Sequence, residues 1–106
     1  MGKAIVEVTV VPLGTGSTSL SHYVASVEKI LKRNKEIKSQ LTPMSSILEG
    51  DLDKILKVIR EMHEQPFLQG ALRVSTRISI DDRRDKETSM ASKLKSVREK
   101  LKSNRD

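Results

Sequence analysis

An α+β sandwich, with four antiparallel strands and helices on one face of the sheet, is predicted by three features of the 106-residue sequence. Residues 72–80 alternate apolar and polar side chains with a period of two, the mark of a half-buried strand. Residues 4–11 are dominated by β-branched side chains and stop at Pro12. Between them lie two stretches with apolar residues at helical spacing, separated by a short region that reads as a hairpin.

The elements follow in order. In residues 4–11, Ala4, Val6, Val8 and Val10 form an apolar face, and Ile5, Glu7, Thr9 and Val11 a mixed one. A loop of glycines and hydroxyls follows, in which Thr18 or Ser19 is placed to cap a helix running to about Lys32. Leu20, Tyr23, Val24, Val27, Ile30 and Leu31 define its apolar stripe, and Arg33, Asn34 and Lys35 end it. Residues 37–43 and 44–49 read as paired strands closed by Gly50. Asp51 then caps a second helix with Leu52, Ile55, Ile59 and Met62 along one side. In residues 72–80, Val74, Thr76, Ile78 and Ile80 face one way and Arg73, Ser75, Arg77 and Ser79 the other. A charged turn at residues 81–85 precedes a last helix, whose narrow stripe is Met90, Leu94, Val97 and Leu101.

With right-handed crossovers, the order strand–helix–strand–strand–helix–strand interleaves into one sheet. The prediction is a single domain over residues 1–106: a ferredoxin-like βαββαβ sandwich with an additional C-terminal helix. Glu7 and Thr9 then share the helix-free face with Arg73, Ser75, Arg77 and Ser79. Ile5 and Val11 make that face a candidate subunit contact, so a homo-oligomer is expected.

Composition narrows the function. The absence of cysteine rules out disulfides and thiolate metal sites. No apolar run approaches a membrane span, and the N-terminus lacks the pattern of a secretory signal, so a cytoplasmic protein is expected. The net charge of +6 raises the question of nucleic acid, but six basic against two acidic side chains fall in residues 93–106. Tyr23 and Phe67 are the only aromatics, too few for a base-stacking platform, so no nucleic-acid binding is expected. His22 and His63 lack partners at metal-ligand spacing, and the serines lie in no nucleophile elbow. Neither a metal, a cofactor nor catalysis is expected.

Several stretches taken together resemble one family: Glu7-Val-Thr-Val-Val-Pro-Leu-Gly-Thr15, Ser17-Thr-Ser-Leu-Ser-His-Tyr-Val24, Pro43-Met44, Leu48-Glu49-Gly50-Asp51, His63-Glu64, Arg73-Val74 and Ile80-Asp-Asp-Arg-Arg-Asp85. This combination, spanning nearly the whole chain in order, is similar to the thiamine-binding, YkoF-like family. The resemblance implies a ferredoxin-like fold, a homodimer or homotetramer, and non-catalytic binding of thiamine or its hydroxymethylpyrimidine half. Where that family commonly has Gly-Thr after Pro-Met, Ser45 and Ser46 stand here.

Such a ligand has ring nitrogens that accept hydrogen bonds, an exocyclic amine that donates, and a cationic thiazolium. A pocket for it needs hydroxyl or amide donors, a carboxylate and an apolar or aromatic wall. The expected ligand-binding residues are Glu7, Thr9, Ser17, Thr18, Ser19, Tyr23, Ser46 and Glu49. Each has a competing structural role. The Ser17–Ser19 hydroxyls serve equally as helix caps. Glu7 is placed for either a ligand amine or a cross-strand pair with Arg73 or Arg77, and Glu49 carries the same ambiguity. Tyr23 also fits the core side of its helix. The Asp81–Asp85 turn reads as a solvated ion-pair network, a phosphate contact or, preferably, a subunit contact.

Overall fold

The computed structural model describes residues 3–16, 20–87 and 89–103. It consists of β1 (Lys3–Leu13), α1 (Ser21–Arg33), β2 (Lys38–Leu41), β3 (Ser46–Asp51), α2 (Leu52–Leu68), β4 (Arg73–Asp81) and α3 (Met90–Ser103). The strands form one antiparallel sheet in the order β2-β3-β1-β4, the ferredoxin-like arrangement with an added C-terminal helix.

Local chemistry accounts for the element boundaries. Asp51 caps α2, its carboxylate accepting the Lys54 amide at 3.1 Å. Asn34 ends α1 by returning its side-chain amide to the Ile30 carbonyl at 2.8 Å. At the end of α2 the Gly70 amide donates to Phe67 and the Ala71 amide to Pro66. This six-to-one, five-to-two pair is a Schellman closure, and it places Gly70 at φ +100°, where a side chain would be strained. Leu20 stands at the N-cap position of α1 without a side-chain cap bond. The capping expected of Thr18 or Ser19 lies outside the described residues.

The helix-facing side of β1 supplies Ala4, Val6 and Val8 to the core. They pack with Leu48 of β3, Val27, Ile30 and Leu31 of α1, and Ile55, Val58, Ile59 and Met62 of α2. Register carries this two-sidedness across the sheet. Val6 pairs with Leu48 and Ile80, and Val8 with Ser46 and Ile78, so these all point toward the helices. Glu7 pairs with Ile47 and Ser79, and Thr9 with Arg77, on the other face.

The expected half-buried face of β4 is covered over only part of its length. Val74 and Thr76 are half-buried, with Thr76 Oγ1 2.7 Å from His63 Nδ1 on α2. Ile78 and Ile80 remain 45% and 47% exposed, because this edge strand runs beyond its helical cover. The apolar stripe of α3 is likewise open at Leu94, Val97 and Leu101. The radius of gyration is accordingly 16.0 Å, against about 13 Å for a compact domain of this length.

The charged turn before α3 is paired within itself. Arg83 holds Asp85 through two bonds of 2.5 and 2.8 Å, and Arg84 holds Asp82 at 2.8 Å. The next carboxylate back, Asp81, pairs with Lys93 of α3. The Asp85 carboxyl is lowered to about 2, first by its hydrogen bond from Arg83.

Two outcomes follow from these local structures. Gly70→Ala should destabilise the domain by about 1 kcal/mol in urea denaturation, since alanine resists the positive φ. Asp85, lowered from 3.8 to about 2, should contribute its pairing at pH above 4 and lose it as pH falls through 2. A carboxyl-detected NMR titration placing Asp85 near 3.8 would contradict the Arg83 contact.

Candidate functional site

The sheet face turned away from α1 and α2 carries a depression of about 630 Å³ where β1, β4 and the β2–β3 turn meet. That volume falls within the range of small-molecule sites, roughly 300–1,000 Å³. Its polar lining comes from Glu7 and Thr9 of β1, Arg77 and Ser79 of β4, and Ser45 of the turn, with Met44 as an apolar rim.

The β2–β3 turn is held by one threonine. Thr42 Oγ1 accepts the amides of Met44 at 3.2 Å and Ser45 at 3.0 Å, and its hydroxyl donates to the Ser45 carbonyl at 2.9 Å. The Thr42 amide donates to the same carbonyl at 2.8 Å. So fixed, Ser45 Oγ donates to Glu7 Oε2 at 2.8 Å. The glycine of the resembled pattern has no hydroxyl to make this contact.

Among the described residues no ion pair joins Glu7 to Arg73 or Arg77. Its bond comes from Ser45, although Arg77 lies diagonally across the strand pair.

The expected residues fall in different places. Glu7 and Thr9 are brought together in the depression. Ser46 is buried on the opposite face, its hydroxyl donating to Glu28 Oε2 of α1 at 3.1 Å. Glu49 faces the depression's side of the sheet but is only 3% exposed, and its Oε1 accepts the Met90 amide at 2.8 Å. It thus anchors the first residue of α3. Tyr23 is half-buried in the first turn of α1, its ring 4.1 Å from that of His22, apart from both the core cluster and the depression. Ser17, Thr18 and Ser19 lie outside the described residues.

Met44, Ser45, Arg77 and Ser79 line the depression without having been singled out from the sequence as ligand residues. Arg77 and Ser79 carried a signal, sharing the strand parity that puts Glu7 and Thr9 on one face. Ser45 was hidden by the strand boundary: β3 begins two residues later than the sequence pattern suggests, at Ser46 rather than Met44, so Ser45 belongs to the turn.

The comparisons with known proteins agree with this architecture. Residues 6–98 match the family described as thiamine-binding protein. UPF0045 protein YqgV of Bacillus subtilis is 50% identical over 101 residues, spanning 92% of this chain and 97% of that protein. The crystal structure of MJ1052 from Methanocaldococcus jannaschii superposes with a TM-score of 0.83 at 39% identity, covering 93% of this chain and 99% of that one. A Thermotoga maritima protein, TM0486, linked provisionally by its name to thiamine biosynthesis or salvage, shares the fold with a TM-score of 0.73 at 19% identity, over 90% of this chain and 98% of that one.

The geometry of Glu49 has a direct test. A charge-assisted hydrogen bond is worth about 1.5–3 kcal/mol. Glu49→Ala should therefore accelerate amide exchange at Met90 by roughly ten- to a hundredfold, leaving β1 amides unchanged. Unaltered exchange at Met90 would mean that Glu49 does not anchor α3.

Proposed function

The chain belongs to the thiamine-binding protein family, and we propose that it binds thiamine or its hydroxymethylpyrimidine half, without catalysis, as a homo-oligomer. One observation carries this reading: a carboxylate held by a serine lies in a ligand-sized, hydroxyl-lined depression on the sheet. Glu7 accepts the exocyclic amine of the pyrimidine. Thr9, Ser45 and Ser79 offer hydroxyls that donate to ring nitrogens or accept in turn. Met44, 84% exposed, supplies an apolar surface to fold against the ring.

The same lining argues for binding over turnover. A serine or threonine hydroxyl is commonly activated as a nucleophile by an imidazole within hydrogen-bond reach. Of the two histidines, His22 lies on α1 and His63 is bonded to Thr76 on the helix side of the sheet. A hydroxyl nucleophile in the depression therefore has no imidazole beside it.

Assembly is supported by the uncovered surface. The accessible area is 7847 Å², against about 6,000 Å² for a compact monomer of 11.9 kDa. Part of the excess is apolar, at Ile78, Ile80, Leu94, Val97 and Leu101. Burying such side chains against a second copy is worth about 25 cal/mol per Å². That term favours association.

Calorimetric titration with thiamine and with the pyrimidine alcohol tests the reading, alongside light scattering for the assembly. Saturable binding at micromolar concentration or tighter is expected. Glu7→Gln should weaken it by about 1.5–3 kcal/mol, the value of a hydrogen bond to a charged group, without changing the oligomer. No heat with either compound would move the function to an assembly module built on the same exposed apolar residues.

A further inference from the structure

The depression holds two opposite charges that do not pair with each other. Glu7 is engaged by Ser45. Arg77 lines the same depression, is exposed, and has no acidic partner among the described residues. Its direct neighbour across the strand pair is Thr9, and Glu7 lies opposite Ser79, two residues further along β4. Such diagonal neighbours are about 7–8 Å apart at Cα, within reach of an arginine side chain. The two nevertheless form no ion pair, and the contact made by the carboxylate is with Ser45.

A guanidinium left unpaired beside hydroxyls is a forked donor for a phosphate or carboxylate. Resting on the thiamine-site reading above, we infer that the ligand is a phosphate monoester of that class, with Glu7 taking its amine end and Arg77, flanked by Thr9 and Ser79, taking its phosphate. The separation of the two charges along the strands suits a ligand with a donor at one end and an anion at the other.

Net charge points the same way. Thiamine is a cation, whereas the chain carries +6. Esterification adds about −1.5 to −2 at neutral pH, which turns the ligand net anionic and makes its approach electrostatically favourable. The competing explanation is that arginines on an edge strand merely deter strand pairing with other chains. Arg73 provides the control. It lies on the same face of β4, four residues away, and does not line the depression.

The experiment is a calorimetric comparison of thiamine, thiamine monophosphate and inorganic phosphate on the full chain at fixed ionic strength. The wild type should bind the monophosphate on the order of tenfold or more tighter than thiamine, the scale of a charge-assisted contact. Arg77→Ala should collapse that ratio toward one, Arg77→Lys should restore part of it, and Arg73→Ala should leave it intact. Inorganic phosphate alone should bind much more weakly than the ester.

Equal affinity of the wild type for thiamine and its monophosphate would overturn this inference and leave the thiamine reading standing. A ratio that survives Arg77→Ala, or falls equally in Arg73→Ala, would overturn the assignment to Arg77. Failure of both thiamine compounds to bind would overturn the site reading together with the inference. Circular dichroism of each variant shows whether the fold is retained; for exposed side chains, it should be.

Discussion

β1 is hydrogen-bonded along both edges, to β3 on one side and β4 on the other. Its period-two alternation is therefore imposed on both neighbours. Ala4, Val6 and Val8 reach the core, so Leu48 must face the same way and Ile47 the opposite way. Glu7 and Thr9 are consequently held on the far face, and Arg77 and Ser79 are brought beside them by register. A shift of one residue would turn the slipped neighbour over, taking Leu48 out of the core in the β1–β3 pairing or moving Arg77 and Ser79 to the helix side in the β1–β4 pairing, with loss of core burial or desolvation of a charge. The demand that keeps the core apolar is the same one that assembles the polar depression.

This dependence explains what was legible in the sequence. The alternation in β4 and the apolar even positions of β1 are local patterns, and they identified the sheet faces and hence the placement of Glu7 and Thr9. Asp51 was legible as a cap because capping needs only a side chain and an amide three residues on. The chain contains its strongest signals where a short-range rule governs.

The remainder depended on contacts distant in sequence. Glu49 and Met90 are 41 residues apart, so nothing near Glu49 revealed that its carboxylate starts α3. Ser46 was one position out, because the onset of β3 is set by pairing with Val8 and Leu41 rather than by its own side chain. The α3 stripe has the spacing of an amphipathic helix, yet Leu94, Val97 and Leu101 stay 49%, 56% and 66% exposed among the described residues. An amphipathic pattern records that a face is to be buried, not whether the burying surface belongs to the same molecule.

Ser45 shows how a small departure from a family pattern acquires a physical meaning. Its backbone is fixed by Thr42, so its hydroxyl has a defined direction, and that direction leads to Glu7. The carboxylate is thereby oriented in advance, which would lower the ordering cost of the binding proposed for it.

The strand pair carrying Glu7, Thr9, Arg77 and Ser79 is the most continuous ladder in the sheet, registered from Ile5 opposite Asp81 to Leu13 opposite Arg73. Opening it would break the backbone pairing that holds the domain together. The floor of the depression is therefore stiff, and any change in the proposed site would fall to the turn at its rim, to the helix anchored by Glu49, or to a neighbouring molecule. Control of such a surface works by occlusion, as a shutter does over a fixed aperture, with the aperture itself unchanged.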